Sequence, residues 1–383
     1  MAQFIRLTAE EQTYAFPWTD HAIATPHTRK VRDSPRTVLE RVVASAFSDR
    51  PVYVLFSGGR DSSAVLALAI REARRLGADD PVPVIIRHRN APRSEEREWQ
   101  ELVLDHLAVS SPRVVNFHGE QSLLSEAATE SLRQHGLLWP PALHLHRAIY
   151  RTLEPGTILT GEGGDLIIEG RRITPLADAL RQGRLRTSLR AARQLMRETK
   201  VRSQLAERLT EASPWLTPQA RRHLYSAVDS PPEPLRWNRS LKSDTSTRPA
   251  VLARSNFESV VRAHGHIPLN PLENAEFVRS LEHAGGMFGL GSRTQMMRYL
   301  FHDLLPDAVL SRTSKAAFNE TRWLELEHSF ARDWRGEGID HDLIDAEALR
   351  HAWLSPMPSP LAAVHLHAAW LDKNNVPVVS DVA

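Results

Sequence analysis

Short apolar runs and amphipathic stretches alternate through the first 160 residues. Residues 52–56, Val-Tyr-Val-Leu-Phe, form an unbroken run of β-favouring side chains and predict a buried strand of a parallel sheet. Before it, residues 36–47 place Val38, Leu39, Val42, Val43 and Ala46 at helical spacing. After it, Ala64, Val65, Leu66, Leu68, Ala69, Ile70, Ala73 and Leu76 predict a strongly apolar helix, closed by Gly77. Residues 82–87 read as a second strand, with Pro83 at its beginning. Residues 93–108 are amphipathic, with Trp99, Leu102, Val103 and Leu107 on one face. Residues 113–117 predict a third strand, 142–153 a helix and 157–160 a fourth strand. Strands alternating with helices define an α/β fold, a parallel twisted sheet with helices on both faces. Ligands of such sheets bind beyond the C-terminal ends of the strands.

The flanks are less regular. Residues 1–35 are polar, with Pro17, Pro26 and Pro35, and predict an arm laid on the domain. Residues 175–210 read as an Arg-rich helical insertion, whose basic face is either solvated or a contact for RNA or an acidic peptide. Residues 229–234 read as a linker and residues 236–249 as polar and mobile. Beyond residue 330 a helical extension carries Trp334, Trp353 and Trp370 without a readable motif.

Composition narrows the chemistry. Of 383 residues, 42% are hydrophobic and 25% charged, as in globular proteins, and the net charge of +2 gives no overall pull towards a polyanion. Cysteine is absent, which excludes disulfides, Cys-based zinc sites, iron–sulfur clusters and a thiolate nucleophile within this sequence. No secretory leader or apolar run of membrane-spanning length is visible, so a soluble cytoplasmic protein is expected.

The candidate chemistry begins where the first strand ends, at Ser57-Gly58-Gly59-Arg60-Asp61-Ser62. A strand, a tight Gly turn and a helix start expose backbone N–H groups to an anion, and the helix dipole favours it there. Ser57 and Ser62 can donate to phosphate oxygens. Asp61 would repel a phosphate unless a cation lay between them, which implies Mg²⁺ held by oxygen ligands. The fourth strand ends in a second Gly-rich acidic loop, Gly161-Glu162-Gly163-Gly164-Asp165, and Asp165 is a natural second carboxylate for the same ion.

These loops resemble those of the ATP pyrophosphatases, and in particular the synthetase domain of the asparagine synthetases, whose relatives include β-lactam synthetase and the lasso-peptide macrolactam cyclases. That family carries Ser-Gly-Gly-x-Asp-Ser and later Gly-Glu-Gly-x-Asp-Glu; here Leu166 replaces the last acid. The resemblance implies that Ser57, Gly58, Gly59, Asp61 and Ser62 hold pyrophosphate and Mg²⁺, with Thr160 and Gly161 near an adenylate. It further implies that Asp165 ligates Mg²⁺ and that Glu162 sits beside the reacting carbonyl and amine. A later stretch, Leu-Pro at 305–306, Arg312 and Lys315 before Phe318, is similar to the family's ending and makes Lys315 the active-site lysine; Asn274 stands where the family often has Asp. The resemblance covers roughly residues 36–330.

With ATP and Mg²⁺, the expected reaction is adenylation of a substrate carboxylate, with release of pyrophosphate and then AMP as an amine takes the acyl group. The family's glutaminase uses a leading Cys, whereas position 2 is Ala. Nitrogen is therefore expected from free ammonia, from a partner subunit, or from an amine on a small-molecule or peptide substrate, the last favouring peptide or natural-product biosynthesis. Three other readings stay open: ammonia-dependent asparagine synthesis, a tRNA-modifying ATP pyrophosphatase, and a nucleotide-binding partner subunit without chemistry. Nucleic acid and membrane are not the expected partners.

Overall fold

The computed structural model describes residues 3–18, 32–48, 50–89, 91–198, 204–228, 233–314, 316 and 318–377. Five parallel strands form one sheet: β1 (Val52–Leu55), β2 (Val82–His88), β3 (Arg113–Phe117), β4 (Thr157–Leu159) and β5 (Ile267–Leu269), in the order β3-β2-β1-β4-β5. The chain runs outward from β1 to β3, then returns to place β4 on the other side of β1, pairing Val54 with Leu159. The strand order reverses at β1, and a crevice opens there beyond the strand ends.

Alternation along the strands sends side chains to both faces. Val52, Val54, Ile85 and Leu159 join one core with helices Pro35–Ala44, Arg60–Leu76, Ala275–Gly285 and Arg293–Phe301. Tyr53, Val84, Val115 and Ile158 join another with helices His146–Tyr150 and Arg248–Ala263. Helix Arg60–Leu76 is all but apolar from Ser62 to Ile70 because it lies buried along the sheet, and Gly77 ends it at φ 68°.

Three regions differ from the sequence reading. β5 is an additional strand; it lies at the sheet edge, where Pro268 opposite Ile158 costs no ladder partner on its open side. The stretch read as polar and mobile is instead helix Trp237–Thr245 and the start of helix Arg248–Ala263, anchored by fully buried Trp237 and Leu241. Within the N-terminal stretch, Ala9–Thr13 is helical, closed by a reciprocal capping box between Thr8 and Glu11. Buried Glu11 receives Arg248 Nε at 2.5 Å and Nη2 at 2.8 Å. Residues 229–232 of the expected linker lie outside the described residues.

The tryptophan-rich C-terminal helices are a second core. Trp323, Trp334, Trp353 and Trp370 pack with Trp215, Leu224 and Tyr14. No helix among the described residues is long and apolar enough to cross a membrane.

Buried histidines border this core. His367 Nε2 donates to the Leu123 carbonyl at 3.0 Å, and His144 Nδ1 meets Ser131 Oγ at 2.9 Å. Burial pushes His365 and His367 down from 6.5 to about 4, and His144 down as well. An unfolded chain takes up these protons near pH 6.5 while the native state refuses them until about pH 4, so stability is full above that window and is lost as pH falls through it. The melting temperature should drop between pH 6.5 and pH 4, more shallowly in His365→Leu; an equal slope in both would assign the acid sensitivity to other groups.

Candidate active site

The first glycine turn joins β1 to helix Arg60–Leu76 through the four residues Phe56 to Gly59. Gly58 takes φ +87°, a conformation other residues resist, and a Cβ there would press on Gln100 Cγ at 2.9 Å. The turn is held from inside by Ser57 Oγ and Ser62 Oγ at 3.0 Å, and Gly59 N–H donates to Ser57 Oγ at 3.3 Å. Gln100 Nε2 donates to the Ser57 carbonyl at 2.9 Å. No side chain caps the helix at Gly59, so its first N–H groups face the crevice, a setting for an anion.

The second turn leaves β4 and rests directly on the first. A Cβ on Gly161 would stand 2.5 Å from Ser62 N, and one on Gly164 would collide with the Asp61 carboxyl. Gly163 is crossed in the same way by Glu273. The spacing of these three glycines is thus a set of contacts, not a loose loop.

On one side of the turns the charges converge on Arg293. Its Nη2 donates to Asp61 Oδ2 at 2.6 Å, and its Nη1 lies 2.8 Å from Asp165 Oδ1 and 3.4 Å from Glu169. Burial, reinforced by the Asp165 charge, raises the Asp61 carboxyl above its ordinary range, against the pull of Arg293. Asp61 Oδ1 is buried and has no hydrogen-bond partner among the described residues. No group of three or more His, Asp or Glu is placed to hold a metal among the described residues. Mg²⁺, however, is commonly held by one or two carboxylates together with substrate phosphates and water. Asp61, with an orphaned oxygen, and Asp165, facing the same cation, fit that donor set.

On the other side lies a polar chain that begins at β4. Glu162 N–H donates to Thr160 Oγ1 at 3.2 Å, and Thr160 Oγ1 donates to Asn270 Oδ1 at 2.6 Å. Asn270 Nδ2 then donates to Glu273 Oε2 at 2.9 Å. Burial raises the Glu273 carboxyl, the charge of Glu162 adds to this, and Asn270 and Arg254 oppose it. Burial also depresses the Arg322 guanidinium, offset by Glu162. Glu162 therefore acts electrostatically on both a second carboxylate and a half-buried cation. Glu273 escaped the sequence reading; its one signal is its place just past β5, at the same sheet edge as the two turns.

Arg312 also escaped as a site residue. Buried, it donates from Nη1 to the Gly58 carbonyl at 3.0 Å and from Nη2 to Glu96 Oε1 at 2.7 Å. Its guanidinium stacks over Trp99 at 4.6 Å. Lys315 lies outside the described residues, while Ser314, Ala316 and Phe318 line the cleft. Asn274 serves as a helix cap, accepting from Glu276 N–H at 2.9 Å. Leu166, in the place of an acid, packs against the sheet core.

Ser57, Gly59, Asp61, Ser62, Thr160, Gly161, Glu162 and Asp165 line one cavity of about 690 Å³, within the size range of small-molecule sites. Gly58 lies behind it, against Gln100. Gly161→Ala should force the turns apart and weaken nucleotide binding by roughly tenfold or more, a change of at least about 1.4 kcal/mol read by titration calorimetry, with a cooperative melt retained. Wild-type affinity would show that the contact is not needed.

A search of curated proteins finds no match to this chain. A family comparison does: the profile described as asparagine synthase matches residues 35–370, which includes both glycine turns, Glu273 and Arg312 and runs on past residue 330 into the tryptophan-rich core. The chain belongs to the asparagine synthase family, ATP-dependent ligases that form amide bonds.

Proposed function

We propose that this member adenylates a carboxylate and passes the acyl group to an amine carried by a small-molecule or peptide substrate, in peptide or natural-product biosynthesis. The observation that carries this reading is the placement, in one cleft, of two functions: a phosphate cradle with convergent aspartates and a carboxylate pair, Glu162 and Glu273. This sequence holds no cysteine, so a thiolate that cleaves glutamine would have to come from outside it.

In the first step a carboxylate oxygen bonds to the α-phosphorus of ATP, and the bond from that phosphorus to the bridging oxygen breaks. The N–H groups at the start of helix Arg60–Leu76 and the hydroxyls of Ser57 and Ser62 hold the departing pyrophosphate. Asp61 and Asp165 would hold Mg²⁺, which neutralises charge on that leaving group. In the second step the amine nitrogen bonds to the acyl carbon, the bond from that carbon to the AMP oxygen breaks, and the amine proton passes to a carboxylate. Glu162 takes that proton, with half-buried Glu273 electrostatically coupled to it. Lys315 stabilises the oxyanion formed on the way.

Glu162 matches the asparagine synthetases at its position, which favours ammonia-dependent asparagine formation as the second reading. Aspartate, ATP and ammonium yielding asparagine and AMP would select it.

Two variants test the mechanism by pyrophosphate release with a panel of carboxylate and amine substrates. Asp61→Ala should abolish release; unchanged turnover would refute the cation assignment. Lys315→Ala should lose about 10² or more in rate. A near-wild-type rate would remove Lys315 from the site.

A further inference from the structure

A second cavity, of about 400 Å³, adjoins the main cleft and shares Glu273 with it. Helix Arg248–Ala263 is the partition. Ala250, Ala253 and Phe257 face the main cleft, whereas Arg254 and Glu258, one position further along, face the second cavity. Its remaining charged walls are Lys242 from helix Trp237–Thr245 and Arg279 and Glu282 from helix Ala275–Gly285.

The charges there are incompletely paired. Glu258 is engaged by Arg262 at 2.9 Å. Among the described residues no carboxylate lies within ion-pair distance of Lys242, Arg254 or Arg279, although Arg254 acts electrostatically on Glu273 and the other two act on Glu282. Arg279 Nε is buried without a hydrogen-bond partner. A partly buried guanidinium with an orphaned N–H, beside two more cations that have no ion-pair partner among the described residues, forms a donor set suited to a carboxylate. Glu273 closes the cavity on the side of the cleft, joined through Asn270 to Thr160.

We propose that this cavity binds the amine-bearing substrate as a carboxylate-containing amine, an amino acid or short peptide, with its carboxylate on Arg254, Arg279 and Lys242 and its amine directed past Glu273 into the main cleft. This rests on the reading that Glu162, with Glu273 beside it, receives the amine proton, because the proton acceptor marks the side from which the nucleophile comes. Attack then proceeds as above: nitrogen joins the acyl carbon, AMP leaves with the oxygen, and the proton goes to Glu162. The cavity selects for amines that carry a negative charge at a distance, and it disfavours simple alkylamines.

Glycylglycine, acetate and ethylamine, titrated calorimetrically into the full chain without nucleotide, test this. Glycylglycine should bind at one site, acetate should compete with it, and ethylamine should bind far more weakly. The double variant Arg254→Met/Arg279→Met should lose roughly tenfold or more in glycylglycine affinity. Lys242 is exposed, so Lys242→Gln carries the test should the double variant lose its cooperative melt. Both variants should keep wild-type affinity for ATP with Mg²⁺, and Asp61→Asn should show the reverse pattern. No glycylglycine binding, equal binding of ethylamine, or binding unchanged in Lys242→Gln and the double variant would overturn the assignment. Glycylglycine binding that depends on Arg254 in a chain that fails to bind ATP would instead overturn the ligase reading and leave the cavity assignment standing.

Discussion

Everything at the site depends on the backbone contact between two glycine turns. It exists because β1 and β4 are neighbours whose pairing, Val54 against Leu159, ends the two strands within one residue of each other. Gly161 then lies on the amide of Ser62, and Gly164 lies on the carboxyl of Asp61. The contact aims Asp61 and Asp165 at one cation and turns Glu162 the other way, towards Glu273 and Arg322. A slip of one residue between the strands would invert every side chain and separate these groups.

Buried charges tie the surrounding elements to that contact. Removing one partner of a buried pair commonly costs about 3–5 kcal/mol, because the other charge is left unpaired. Glu11 and Arg248 form such a pair, fixing the N-terminal stretch to the helix that divides the two cavities. Arg293 does the same between the turns, from the first position of its own helix. The cores are aliphatic and aromatic, and around the cleft the ion pairs Arg293–Asp61 and Arg312–Glu96 join chain segments distant in sequence.

Much of this was legible in the sequence, for a physical reason. β1, β4 and the first half of the helix after β1 are buried on both sides, so their apolar runs are nearly pure, and Gly58, Gly161 and Gly164 in the turns beyond them cannot be replaced without collision; β3, at the sheet edge with Arg113, Val114 and Asn116 exposed, carries a weaker signal. β5 hid because an edge strand of three residues containing Pro268 has little burial to advertise. The helix at Ala9–Thr13 did leave a local mark, Thr8 followed by Glu11, which is a capping box. The C-terminal tryptophans looked isolated because some of their partners come from other segments, such as Trp215 and Tyr14, while Trp237 packs into the core on one face of the sheet. Glu273 and Arg312 acquire meaning only through contacts across more than a hundred positions, with Gly163 and with Gly58.

Arg312 links two parts of the chain that would otherwise be mechanically independent. It grips the Gly58 carbonyl at one end and leads, three residues on, into Lys315 at the other. Stacked on Trp99 and bonded to Glu96, the guanidinium fixes the first glycine turn to the segment at residues 312–314. Removal of this one guanidinium would leave the Gly58 carbonyl and Glu96 without their shared donor, and so loosen the first glycine turn from a position 254 residues further along the chain.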